Sequence, residues 1–215
     1  LRAGEATEAG NASFGTAVEV DGVRISNNAS FSEIKGASIN NIASSNVESV
    51  EVISGVPSVE YGDIGAGIVK VNTKKGLAPY LVTMTTNPKT KQFSVSKGFG
   101  LGQSRNGVSG GVLNANVEYT RSVKDSRSPY ESYNRKQISL NYSNLFNNGM
   151  FSETPIRFSF GITGNLGGSD TKADPDLLIG TYEKQKDNTL RANVEMNWLL
   201  SKPWITNLEF KGSVV

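Results

Sequence analysis

VESVEVISGVPSVEYGDIGAGIVKVNTKKG, residues 47–76, decides how this chain is read. Val47, Val50, Val52 and Ile53 suit a short strand, a glycine-punctuated loop follows, and Ile68 to Thr73 alternates Ile or Val with Lys or Asn before a basic turn. Working outward toward the N-terminus, residues 17–26 place two β-rich runs around Asp21-Gly22, a dipeptide that tolerates the positive φ of a tight hairpin. Residues 27–36 read as a polar loop with one aromatic, and 37–46 as a short helix packing Ile39 and Ile42. Residues 1–16 are small and polar and form a lead-in. Up to Gly76 the expectation is therefore a small α+β unit.

Toward the C-terminus the texture changes to longer segments of period two. Tyr80, Val82 and Met84 share one face; then Phe93, Val95 and Phe99; then Leu113, Ala115, Val117 and Tyr119. The pattern continues through Ile138, Leu140 and Tyr142, through Ile156, Phe158, Phe160 and Ile162, and through Leu190, Ala192, Val194, Met196 and Trp198, to end at Leu208, Phe210 and Val214. The intervening positions are polar, among them Asn114, Asn116, Glu118, Ser139, Asn141, Arg157, Ser159, Arg191, Asn193 and Glu195. Because neighbouring residues of a strand point to opposite sides, each strand has one apolar and one hydrated wall. A soluble sandwich and a membrane barrel both satisfy that pattern.

Composition narrows the chemistry. His and Cys are both absent, which removes imidazole bases, thiol nucleophiles, disulfides and most transition-metal sites. No catalytic residue, cofactor site or metal site is expected. Asp170, Asp174 and Asp176 lack the spacing of a calcium loop, and Gly98 to Gly102 lacks a full dinucleotide fingerprint. Lys and Arg number 22 against 20 Asp and Glu, scattered along the chain, so nucleic acid is not an expected partner. No apolar run reaches the roughly 18 residues of a membrane-spanning helix, and Leu1 begins without Met, a charged n-region or an apolar h-region, so for a bacterial outer-membrane protein the targeting signal is expected upstream.

Strand length and charge placement favour the barrel. Several segments support about 9–11 residues of strand, the span a tilted membrane strand needs. Charges avoid the middle of the apolar faces, where Arg or Lys costs roughly 2–4 kcal/mol, and Lys97, Arg121 and Asn144 enter the apolar register only near strand ends. Connections are expected to alternate between a short turn at 201–204 and longer polar loops at 122–133 and 167–186. Trp198, Trp204 and Phe146 sit where an interfacial aromatic girdle belongs.

Val20-Asp21-Gly22, Val47-Glu48-Ser49-Val50-Glu51-Val52, Gly55, Tyr61-Gly62, Gly65-Ala66-Gly67-Ile68-Val69 and Thr73-Lys74-Lys75-Gly76 occur in an order and spacing that resembles the end of a TonB-dependent receptor plug, of the SusC-like kind in particular. The resemblance implies that 17–76 is the C-terminal part of a plug domain and 77–215 the first antiparallel, up-and-down strands of a transmembrane β-barrel. The barrel of this family has about 22 strands, so the chain is expected to be part of a longer receptor. One departure is Ser54, where many members carry Arg or Lys that can pair with barrel carboxylates.

By the same resemblance, an apical plug loop holds Asn28, Phe31, Ser32 and Glu33 for substrate contact, with Phe31 stacking and Asn28 or Glu33 hydrogen-bonding. Glu118, Arg157, Arg191 and Glu195 are candidates to line the barrel wall. The implied function is energised import of a nutrient, with glycan or oligopeptide favoured, in the bacterial outer membrane. TonB with ExbB and ExbD, a SusD-like surface lipoprotein and outer-membrane lipid are the implied partners. Two readings from other classes stand beside it: a soluble β-rich carbohydrate-binding module, and a glycosidase using two carboxylates about 5–9.5 Å apart.

Overall fold

The computed structural model describes residues 17–24, 42–54, 67–104, 107–108, 110–171 and 183–214. The chain divides into two compact units, 1–74 and 75–215.

In the first unit, β1 (Ala17–Val20), β2 (Val23–Arg24), β3 (Val47–Ile53) and β4 (Ile68–Thr73) form one sheet in the order β2-β1-β4-β3. β1 runs parallel to β4, and the other pairs are antiparallel. The β1–β2 hairpin closes through Asp21 (φ 51°) and Gly22 (φ 80°), both in the left-handed region that a two-residue turn of this hand demands. Register puts Val18, Val20, Val69, Val71, Val50 and Val52 on one face. Val18, Val20 and Val71 form the buried core there, with Ile42, Val47 and Val69 packed against it. The other face carries a row of alternating charge, Arg24, Glu19, Lys70 and Glu51, each directly opposite the next. Such opposite-charge pairs contribute about 0.2–1 kcal/mol each. Where a helix was expected over 37–46, residues 44–46 form a single 3-10 turn, Ser44–Asn46. It has no side-chain cap, and the run Ser44-Ser45-Asn46 favours turns over helix. Ile42 packs as expected, while residues 37–41 lie outside the described residues.

Asp21 also ties the hairpin to the end of β4. Its carboxylate accepts the Thr73 amide at 2.9 Å and the Thr73 hydroxyl at 2.7 Å, and its own amide donates to the Val71 carbonyl. A buried carboxylate must be satisfied in this way or it costs several kcal/mol.

The second unit is one seven-stranded antiparallel sheet in sequential order: β5 (Ala78–Thr86), β6 (Thr90–Gly100), β9 (Val112–Asp125), β10 (Ser128–Phe146), β11 (Ile156–Thr171), β12 (Glu183–Lys202) and β13 (Ile205–Val214). A small hairpin of β7 (Gln103–Ser104) and β8 (Gly107–Val108) interrupts the connection between β6 and β9. All seven expected strands are present. β5 and β13 are its edges and do not pair with each other.

Four strands are longer than expected, at 14, 19, 16 and 20 residues for β9 to β12. The polar loop expected at 122–133 is strand on both sides of a tight turn at 126–127, and that expected at 167–186 is strand up to Thr171 and from Glu183. Apolar alternation stops near Tyr119, Leu166 and Leu190, whereas backbone pairing continues through Ser122↔Tyr133 and Thr171↔Glu183. Polar strands in water pair their backbones without an apolar face, so periodicity underestimates their length.

Glycine permits a close approach at the start of this sheet. A Cβ on Gly98 would lie 2.4 Å from the Gly76 carbonyl oxygen and 2.7 Å from the Ala78 nitrogen, where the start of β5 crowds β6 beside a register shift.

Candidate functional site

Pleating sorts the seven-stranded sheet into two walls, and burial is inverted relative to a water-soluble sheet. Among the described residues, every fully buried apolar side chain belongs to the first unit. Among the described residues of the second unit the buried side chains are all polar: Ser94, Asn114, Asn116, Glu118, Arg135, Gln137, Ser139, Asn141, Ser159 and Asn165. On β10 the alternation is plainest. Gln137 and Ser139 are 2 % and 1 % exposed, and their neighbours Ile138 and Leu140 are 56 % and 43 % exposed.

The apolar wall is continuous in register. One row runs Val82–Val95–Val117–Ile138–Gly164–Leu190, and the next includes Ala115–Leu140–Ile162–Ala192–Val214. Phe93 and Tyr119 face each other at one rim; Phe146, Ile156, Trp198 and Leu208 form the row at the other. Trp198 and Phe146 thus share one row at that rim, and Trp204 lies 82 % exposed in the turn beyond. From Ile156 to Leu166 the strand climbs roughly 34 Å at about 3.4 Å per residue. Tilted by about 40°, that is a band roughly 26 Å tall, the height of the apolar belt of an outer-membrane barrel. Lys97, expected at a strand end, instead lies inside the band in the row of Ala115, Leu140 and Ile162, and its ammonium sits 3.8 Å from the Tyr80 ring centre and 4.9 Å from that of Phe99. Ring faces offset the cost of a cation in apolar surroundings.

The polar wall is built around Glu118. Its side chain is fully buried, and its carboxylate accepts from the Arg135 guanidinium, from Gln92 Nε2 at 2.9 Å and from Thr120 Oγ1 at 3.2 Å. Pairing sets Glu118 opposite Gln137 and Thr120 opposite Arg135, so the ion pair is a diagonal contact between β9 and β10. A second centre lies toward the other end, where Glu195 Oε2 is 3.5 Å from Lys75 Nζ and accepts from Ser159 Oγ at 3.3 Å. Ser143 Oγ donates to the Lys75 carbonyl. Between the two centres an amide ladder crosses the sheet, Asn114–Asn141–Gly161–Asn193. A Cβ on Gly161 would fall 2.5 Å and 2.7 Å from the Oδ1 atoms of Asn193 and Asn141, so the gap at this position is filled by its neighbours' amides.

The four candidate wall residues, Glu118, Arg157, Arg191 and Glu195, share this face, with Glu118 buried, Arg157 exposed and the other two half-buried. They are not brought into one cluster. Arg135, Gln92 and Lys75 were missed by reading the sequence. The parity of Arg135 with Gln137 and Ser139 was a signal for its face, but its place beside a loop assigned to 122–133 concealed it. Asn28, Phe31, Ser32 and Glu33 lie outside the described residues. No group of His, Cys, Asp and Glu that could hold a metal ion occurs among the described residues.

Residues 7–69 match the family model of the TonB-dependent Receptor Plug Domain. The match supports a TonB-dependent receptor, a class of bacterial outer-membrane transporters rather than enzymes. It spans β1 to β3 and the start of β4, and the β-rich up-and-down sheet beyond it fits the strands that follow such a plug. No curated protein matches the chain.

Proposed function

We propose that the chain is the C-terminal part of a plug, residues 17–76, joined to the first barrel strands, residues 77–215, of a TonB-dependent outer-membrane transporter of the SusC-like kind. It imports a nutrient, with glycan or oligopeptide favoured. Cargo docks on the plug loop holding Asn28, Phe31, Ser32 and Glu33, and force reaches the plug from TonB, ExbB and ExbD through a segment outside this chain. A SusD-like lipoprotein closes the outer mouth.

The observation that carries this reading is the inverted burial of the seven-stranded sheet, found in the same chain as a plug-family match. A wall of exposed Val, Leu, Ile and Phe is unfavourable in water by about 25 cal/mol per Å² and favourable in lipid. The unpaired edges β5 and β13 point to further strands, since lipid cannot satisfy open backbone groups. The polar wall, with Gln92, Thr120 and Arg135 gathered around the Glu118 carboxylate, suits an interior that meets water.

Whole-cell uptake tests it. Cells carrying the intact receptor take up a labelled oligosaccharide or oligopeptide, and collapse of the proton gradient or loss of TonB abolishes uptake. Replacing Phe31 and Glu33 by Ala weakens uptake without lowering the amount of receptor in the membrane. Uptake that survives the loss of TonB, or a receptor recovered only in the soluble fraction, refutes the assignment.

A further inference from the structure

The outward wall of the second unit changes chemistry abruptly at one end. Beyond Phe93 and Tyr119 the next row reads Thr86–Lys91–Arg121–Asn134–Gly168–Lys186, and Lys136 stands one step nearer the band, opposite Tyr119 and Leu166. Lys91, Arg121, Lys136 and Lys186 are all exposed. None of the four joins an ion pair among the described residues. Asp125 is engaged by Arg127 in the turn, and among the described residues no ion pair joins Asp170 or Asp187 to any of the four.

Lys91 and Arg121 are direct cross-strand partners, and like charges so placed repel. Arg121 and Lys136 are diagonal neighbours through Asn134, at about 7–8 Å. Three cations therefore converge above an apolar floor of Phe93, Val95, Val117 and Ile138, of which Phe93, Val117 and Ile138 are 48 %, 53 % and 56 % exposed. A soluble anion would gain from the cations alone. An amphiphile gains from both, with a phosphate held between Lys91, Arg121 and Lys136 and an acyl chain lying along the floor.

We propose that this belt is a binding site for a phosphate-bearing lipid headgroup of the surrounding leaflet, an inference that rests on the membrane reading given above. It lies at the end where β9 to β12 extend beyond the apolar band, which that reading places toward the cell exterior. Arg121 supplies the planar fork for two phosphate oxygens and Lys91 and Lys136 supply point charges, so repulsion among them becomes a source of affinity.

The intact receptor in phosphatidylcholine nanodiscs provides the test, with folding checked by heat-modifiable mobility on a gel and bound lipid counted by native mass spectrometry. Phosphatidic acid, diacylglycerol and glycerol phosphate are titrated separately, giving head and tails together, tails alone and head alone. Phosphatidic acid is expected to bind most tightly, and Lys91→Gln, Arg121→Gln and Lys136→Gln to weaken it about fivefold each at low salt. Lys202→Gln, at the other end of β12, leaves it unchanged. Equal binding of diacylglycerol, glycerol phosphate binding as tightly as the lipid, or indifference to the three substitutions overturns the belt while the receptor stays inserted. A receptor that fails to enter the bilayer refutes the membrane reading and the belt with it.

Discussion

Placing a cation at Ile162 separates a lipid-facing wall from a water-facing one more sharply than any other single change. Ile162 stands opposite Leu140 on one side and Ala192 on the other, and is 37 % exposed. It lies six residues from Ile156 and four from Leu166, near the middle of a band roughly 26 Å tall. If lipid covers this wall, Ile162→Arg costs about 2–4 kcal/mol, which shifts the folded-to-unfolded ratio by roughly 30- to 700-fold. Ile156→Arg, at the rim beside Trp198, costs about 0–1 kcal/mol because its head reaches the interface. In a water-facing wall both changes stay within about 0.5 kcal/mol. The assay is a urea titration of the intact receptor in lipid vesicles, followed by the gel shift between folded and unfolded barrel. Equal stability of the two variants refutes a bilayer around this sheet.

Three further outcomes are expected. Glu118→Ala leaves Arg135 buried without its carboxylate and lowers stability by about 3–5 kcal/mol, more than the isosteric Glu118→Gln; the same urea titration reads it. Asp21→Ala removes the acceptor of two Thr73 hydrogen bonds and places a non-glycine, non-Asp residue at φ 51°, for a loss of about 2–4 kcal/mol, with Asp21→Asn retaining part of it; amide hydrogen exchange over 17–20 and 68–73 shows the difference. Gly98→Ala is the harsher of two glycine substitutions because it meets backbone at Gly76 and Ala78, whereas Gly161→Ala meets only the movable amide ends of Asn141 and Asn193; folded yield separates them, and equal yields refute the crowding at β5.

Period-two alternation was enough to place the strands and to assign each residue a wall, because side-chain direction in a strand is local. That is why Glu118, Arg157, Arg191 and Glu195 fell on one face as expected. Which of them touch is a matter of register between strands, and register is not local. Arg135 reaches Glu118 only because Thr120 lies opposite it, and Asp21 meets Thr73 across 52 residues of sequence. Strand ends were misplaced for a related reason: beyond Leu166 and Tyr119 no apolar face exists to produce a period, yet the ladder continues. The Asp21-Gly22 turn was legible because two consecutive positive φ angles select those residue types. Its second role, as an acceptor for the far end of β4, had no sequence signal.

The two walls of the sheet also bear on transit before assembly. A device that judges a nascent segment by about twenty consecutive side chains meets Gln137-Ile138-Ser139-Leu140-Asn141 as a mild, mixed string and has no reason to retain it. Once the same string is pleated, half of its side chains merge with those of six neighbouring strands into an uninterrupted oily sheet. Oiliness in this chain is thus encrypted by alternation and disclosed only by strand pairing, which delays its affinity for a bilayer until the backbone has committed to the ladder.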